Sequence, residues 1–165
     1  MIGAFLVLAL VTAERVGELW LAQHNTRRLL ANGAVAHADE HYPLLIALHA
    51  AWLAGLWLFA WDRPLDLLWL GAFGLLQILR VWVLTTLKDR WTTRIITMPN
   101  EILVKRGPYR FLEHPNYAVV IGEIAVLPLV FGLWRFAIVF SILNAAVLFI
   151  RIRAENNALA ALRGD

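Results

Sequence analysis

Two apolar runs, about Pro43–Trp61 and about Leu65–Leu87, are separated by only Asp62, Arg63 and Pro64. A helix of roughly 20 apolar residues spans the hydrocarbon core of a bilayer, and both runs approach that length. Three more segments follow the same pattern: about Ile2–Gln23, about Tyr117–Phe131 and about Leu133–Ile150. The last two are short for spans. Composition agrees with lipid as the solvent. The chain is 61% hydrophobic and 16% charged, whereas soluble domains run nearer half and a quarter. So few charges cannot cover so much apolar surface in water. The eight Trp suit membrane interfaces. Residues 1–165 therefore read as one all-α integral membrane domain of about five transmembrane helices.

Local signals refine this reading. Pro43 stands where a helix start tolerates proline. "FGLW" at 131–134 reads as a tight turn, making the last two segments a helical hairpin. The alternative is one helix of about 34 residues kinked at Pro128. The first segment has no basic stretch before it and is interrupted by Glu14, Arg15 and Glu18, so it reads as a retained helix rather than a signal peptide. Five spans place eleven Lys and Arg on the side holding residues 24–42, 88–116 and the tail after 150, against Arg63 and Arg135 on the other. This bias predicts that the N-terminus lies outside and that the 88–116 loop and the tail are cytoplasmic.

Several function classes are disfavoured. There is no Cys, and His24, His37, His41, His49 and His114 show no metal-binding spacing, so no metal is expected. The net charge of +3 forms no basic stripe on a soluble face, so no nucleic-acid partner is expected. Glu14, Arg15, Glu18, Arg80 and Glu123 fall inside spans, where charges face partners or a polar cavity. They read either as ion pairs, for instance Arg80 with Glu14, Glu18 or Glu123, or as the lining of a cavity in which Arg80 and Glu123 meet a substrate. His49, Gln77 and Asn144 read as interhelical hydrogen-bonding groups.

The 88–116 loop is long for a small membrane protein, and long ordered loops usually carry function. Its end, "GPYRFLEHPNY", concentrates Pro108, Pro115, Tyr109, Tyr117, His114 and Asn116 just before an apolar segment. The prolines stiffen it, and the rings and polar tips could hold a flat, polar, nucleoside-like molecule. The plainer alternative is a helix entry with Asn116 as its cap and the aromatics as an interface belt. Downstream, "RIRAENNAL" sets Arg151 and Glu155 four residues apart on one helix face. By themselves they read as a solvated ion pair.

"LVKRGPYRFLEHPNY", a hydrophobic hairpin and then "RIRAENNAL" together resemble the isoprenylcysteine carboxyl methyltransferase family over roughly residues 90–160. "RWTTRII" is similar to a bacterial branch of that family. The resemblance implies S-adenosylmethionine (SAM) as methyl donor. It implies a cofactor pocket of Glu101, Ile102, Leu103, Val104, Tyr109, His114, Pro115, Asn116, Tyr117 and Glu155, with Arg94 near a further position. It makes Arg151 the arginine that engages the substrate and its reacting carboxylate. Two positions depart from the family pattern: Glu113 stands where a basic residue precedes His-Pro, and Asn156 follows Glu155 where a second acid is usual. Arg110 or Arg106 is the nearest substitute for the missing basic residue.

Methyl transfer from a sulfonium needs no metal. It needs an oxygen nucleophile aligned behind the methyl group and water kept out. A carboxylate is already ionised at neutral pH, so Arg151 would position it by paired hydrogen bonds. The expected substrate is lipophilic: an isoprenylcysteine-like acid or, preferred, a long-chain alkyl pyrone, phenol or other lipid acid drawn from the membrane lipid. Two rival readings stand beside this one. A phospholipid or amine N-methyltransferase would favour carboxylates and aromatic faces around a cation rather than an arginine. A non-enzymatic transport or binding protein would use the charges inside the spans.

Overall fold

A computed structural model describes residues 2–37, 39–98 and 104–163. Five helices account for most of it: α1 (Ile2–Ala31), α2 (Tyr42–Ala60), α3 (Leu67–Leu87), α4 (Pro115–Val130) and α5 (Trp134–Arg163). Two three-residue strands, β1 (Val35–His37) and β2 (Ile95–Thr97), pair antiparallel with Ala36 opposite Ile96. Three 3₁₀ turns lie at Asp39–His41, Lys88–Arg90 and Gly107–Arg110. The chain is an all-α protein with one small ribbon.

The helices begin and end where side-chain chemistry dictates. Asp66 caps α3, its Oδ1 accepting from Leu68 N at 2.9 Å and Trp69 N at 3.2 Å. Its own N–H donates to Val130 O at 2.8 Å, which ties the start of α3 to the end of α4. The "FGLW" turn is real: Gly132 sits at φ +69°, in the left-handed region open to glycine, and Leu133 N donates to Pro128 O at 2.9 Å. Pro128 lies in the last turn of α4, so it ends that helix instead of kinking a longer one.

α3, α4 and α5 pack together, with α2 beside α5 and α4. The core at the hairpin end joins Leu8 and Val11 of α1, Trp52 and Leu56 of α2, Phe73 of α3, and Ile124 and Leu127 of α4. Outside it, Leu67, Leu68, Ile78 and Ile142 are each at least 66% exposed. That pattern fits lipid as the surrounding solvent. Three helical stretches, Tyr42–Ala60, Leu67–Arg90 and Trp134–Ala160, are long and apolar enough to cross a membrane, and α4 is shorter.

Two helices outrun the apolar segments that announce them. α1 continues past Gln23 to Ala31, and α5 past Ile150 to Arg163. Hydropathy marks where the lipid ends. The helix itself stops only where something breaks it, as Asn32 and Gly33 (φ +88°) do after α1.

Glu18, Glu123, Arg15 and Arg80 are paired within the bundle, whereas Glu14, the third acid weighed as a partner for Arg80, has a buried Oε2 with no hydrogen-bond partner among the described residues. Glu123 receives Arg80 through both Nε (3.1 Å) and Nη2, Gln77 Nε2 at 2.9 Å and Arg15 Nη2 at 2.9 Å. Glu18 adds Arg15 Nη1 at 2.6 Å and Arg80 Nε at 3.4 Å. This joins α1, α3 and α4, as the ion-pair reading of the sequence has it. Of the three polar groups expected to bond between helices, Gln77 does so. His49 Nδ1 instead lies 2.9 Å from Leu45 O of its own helix, and the buried Asn144 Oδ1 has no partner among the described residues.

Candidate functional site

Pro115 opens α4 and α5 runs through residue 151 unbroken, so two motifs some 34 residues apart in sequence meet at one end of the bundle. Tyr117 is the joint. Its hydroxyl receives Arg151 Nε at 2.9 Å and donates to Glu155 Oε2. The i, i+4 pair on α5 is therefore bridged by a phenol from α4 rather than left as a solvated ion pair. His114 stacks on Tyr117 with ring centroids 5.3 Å apart. Its Nε2 lies 3.2 Å from Asn156 Oδ1, and its Nδ1 is 3.8 Å from Glu155 Oε1. With Asn156 Oδ1 accepting, the ring proton sits on Nε2.

Arg151 has a second anchor. Its Nη2 donates to Thr93 O in the segment leading to β2. Thr93 Oγ1 is in turn 2.8 Å from Tyr42 OH, at the start of α2, and the Arg94 guanidinium lies 4.9 Å from the Tyr42 ring centre. β1 secures the same segment from the α1–α2 side, where His37 Nε2 is 2.7 Å from Thr97 Oγ1. Deeper in, the buried Asn25 of α1 donates to Trp91 O at 2.8 Å and Lys88 O at 3.2 Å. The loop that begins at Lys88 is thus held against the bundle by α1, α2 and α5.

Tyr109 packs beside Ala22, Val83 and Trp91. Burial, with Glu155 nearby, pushes its phenol above the usual tyrosine range, so it stays protonated at neutral pH. Gly107 makes the approach possible. Its φ is +58°, and a Cβ there would lie 2.4 Å from Thr86 Oγ1 of α3.

Of the residues expected at the site, His114, Tyr117, Glu155 and Arg151 are in mutual contact, with Pro115 and Asn116 in the first turn of α4 beside them. Tyr109 is close, and Arg94 is one residue from the Thr93 anchor. Val104 lies instead along a groove with Leu87–Arg90, Lys105 and Arg106. Glu101, Ile102 and Leu103 lie outside the described residues. Arg80 and Glu123 are buried and engaged with each other. Glu123 is six residues beyond Tyr117, about 9 Å along α4. Asn116 is not the cap expected in the plainer reading. The cap position is His114 and α4 starts at Pro115, two residues earlier than that reading requires, and the buried Asn116 Oδ1 has no hydrogen-bond partner among the described residues. Two members were missed from sequence: Tyr42, and Thr93 acting through its backbone carbonyl. Neither carries a spacing signal.

The donor set suits a cationic, donor-rich ligand such as SAM. An orphaned amide oxygen on Asn116, the Glu155 carboxylate and the Asn156 oxygen are acceptors, matching an ammonium, an exocyclic amine and ribose hydroxyls. Stacked His114 and Tyr117 offer an aromatic wall. Arg151 supplies one fixed cation at the edge.

Fold and site together define an all-α integral membrane protein with a polar, arginine-bearing site built from the two ends of a C-terminal hairpin. The sequence profile of the isoprenylcysteine carboxyl methyltransferase family matches residues 69–161, more than half of the chain, and the protein belongs to that family of membrane methyltransferases. An uncharacterized Bacillus subtilis protein, YpbQ, is 36% identical over 160 residues, covering 94% of this chain and 95% of the relative. An uncharacterized Haemophilus influenzae protein is 24% identical over 163 residues, covering 95% of each. No solved structure matches.

Proposed function

We propose that the protein is a SAM-dependent membrane O-methyltransferase acting on a carboxylate or acidic hydroxyl of a lipophilic substrate. The observation that carries this reading is the Arg151–Tyr117–Glu155 relay with His114 and Asn156 around it. A guanidinium able to hold an anion, next to an aromatic-walled face with a carboxylate able to hold a cation, supports the reading. Bound SAM supplies an electrophilic methyl group to an oxygen placed in line behind it.

In this reading Glu155, Asn156 and the orphaned Asn116 oxygen hold the cofactor, His114 and Tyr117 wall it, and Tyr109, Pro115 and Arg94 border it. Arg151 orients the acceptor oxygen. Its Nε and one Nη2 hydrogen are committed to Tyr117 and Thr93, which leaves Nη1 and the remaining Nη2 hydrogen to face substrate. Orientation of this kind is worth several kcal/mol, from a general range of about 7–11. A carboxylate or an acidic enol arrives ionised, so Arg151 needs no base beside it; a phenol has to lose its proton, and there Arg151 would stabilise the anion and His114 would take the proton. An arginine at the reacting edge suits an oxyanion better than an amine. Arg80 and Glu123, paired with each other, border the substrate path by holding α1 against α3 and α4. Long-chain alkyl pyrones, phenols and lipid acids are the preferred substrates. The tail reaches the site from the bilayer and SAM from the cytoplasm. That places the 88–116 loop and the C-terminus on the cytoplasmic side of a bacterial inner membrane, with the N-terminus outside.

The test is calorimetric titration of SAM into detergent-purified protein, with His114→Ala and Glu155→Ala alongside. Micromolar binding lost in both variants, with helicity intact, is the expected result. A well-folded wild type that binds no SAM, with or without added bacterial lipid extract, overturns the reading.

A further inference from the structure

A groove of about 510 Å³ opens where α3 ends. Its wall comes from Leu87, the 3₁₀ turn Lys88–Arg90, and Val104, Lys105 and Arg106 from the returning loop. Among the described residues four cations line it, Lys88, Arg90, Lys105 and Arg106, with one anion, Asp89; Arg90 has a further interaction of its own. Asp89 already has a partner in Arg28, at 3.0 Å. The groove is strongly cationic and suits an anion.

Its surroundings say which kind. Gly107 docks the loop on Thr86, and from there Phe111 reaches back along α3 to Trp82, with ring centroids 6.5 Å apart. Trp82 is five residues before Leu87, about 7.5 Å down the helix, within a stretch apolar enough to cross a membrane. Phe111 is 73% exposed, Leu112 53% and Trp82 42%. The cationic groove and an exposed aromatic and aliphatic strip thus lie within about a turn and a half of α3 of each other, joined by the loop segment from Lys105 to Phe111. A small soluble anion would use only the groove. A molecule with an anionic head and an acyl chain uses both.

We propose that this groove binds the headgroup of an anionic phospholipid, with an acyl chain lying along Phe111 and Trp82. The proposal does not depend on the methyl-transfer reading; Val104, which the family resemblance implies beside the cofactor, lines this groove, and the SAM arm of the test decides between the two ligands. Basic pockets at the cytoplasmic ends of membrane helices are suited to such headgroups. By anchoring the loop through Lys88 and Lys105, the lipid holds the two ends of the 88–107 excursion together at the membrane surface.

The test uses full-length protein in detergent micelles. Dioleoylphosphatidylglycerol or dioleoylphosphatidylcholine is titrated in, and retained lipid is read by native mass spectrometry. Each cation near a membrane surface is worth about a fivefold change in affinity for anionic lipid. Wild type is therefore expected to prefer the glycerol lipid on the order of 100-fold. Lys88→Gln/Lys105→Gln should lower that affinity roughly thirtyfold, whereas Lys88→Arg/Lys105→Arg keeps it. Size-exclusion profiles check that both variants are folded. If the Gln variant aggregates, salt replaces it: raising ionic strength should erode the wild-type preference. Equal retention of the two lipids by wild type, or a preference that neither the Gln variant nor salt reduces, overturns the proposal. Displacement of the lipid by glycerol 3-phosphate at equal affinity assigns the groove to a soluble anion. Displacement by SAM assigns it to the cofactor. Either result also overturns the proposal.

Discussion

Glu123→Gln removes the carboxylate on which the inner polar cluster converges. Glu123 is 3% exposed and Arg80 4%. In the wild type it accepts from both arginines and from Gln77. After substitution, Arg15 and Arg80 share Glu18, which meets Arg80 only at 3.4 Å. A neutral amide also turns a donor toward Arg80. Breaking a buried pair by removing one partner costs about 3–5 kcal/mol. For a chain of this length that lowers the melting temperature by about 6–20 °C. Nanoscale fluorimetry on the Trp-rich protein measures it directly. Arg80→Gln in the same background should restore part of the loss, because it removes the stranded cation, so the double-mutant cycle should show a favourable coupling of at least about 1 kcal/mol. A loss below about 1 kcal/mol for Glu123→Gln, or strict additivity in the cycle, refutes the argument that this cluster holds α1 to α3 and α4.

Arg151→Lys keeps the charge but cannot reach Tyr117 OH and Thr93 O together, so methyl transfer should fall about 100-fold with SAM affinity nearly unchanged; equal losses in both would place Arg151 in the cofactor site. Gly107→Ala forces a side chain into the left-handed region and onto Thr86, which should cost about 1–2 kcal/mol from backbone alone and increase proteolysis within 88–116; an unchanged digestion pattern refutes this. Tyr109 has a raised phenol pKa in the fold. Its contribution is complete below the ordinary value near 10 and is lost as pH rises through the higher folded value. Tyr109→Phe should therefore flatten the alkaline fall in melting temperature above about pH 10, and an identical alkaline limb in the variant argues against burial as the cause.

The helices were legible because lipid imposes one rule on every residue of a span: long apolar runs announce α2, α3 and α5. Turn chemistry was equally local. Gly132 after Phe131 marked the hairpin, whereas the Asp66 cap of α3, equally local in its chemistry, lies inside the apolar run read from Leu65 and went unread. The helix ends were less legible, since residues 24–31 and 151–163 are polar yet contain nothing that stops a helix. The ribbon of Val35–His37 with Ile95–Thr97 was invisible: three-residue strands have no period to read, and their partner lies 60 residues away.

At the site, residue types and the i, i+4 spacing put Arg151 and Glu155 on one face, and the motif put His114 and Tyr117 at a helix entry. Those facts follow from helical geometry and from Pro115, which local sequence encodes. Sequence could not say that Tyr117 OH stands between Arg151 and Glu155, because that depends on how α4 and α5 pack across the Gly132 turn. Nor could it say that Thr93, through a backbone carbonyl available to any residue type, would become the second anchor of Arg151. Sequence by itself determined lipid as the solvent, the helices and the chemical inventory at their ends. Which of those groups touch was decided only by the tertiary structure, because contacts between segments depend on packing distance and register, and neither is written in the spacing along one chain.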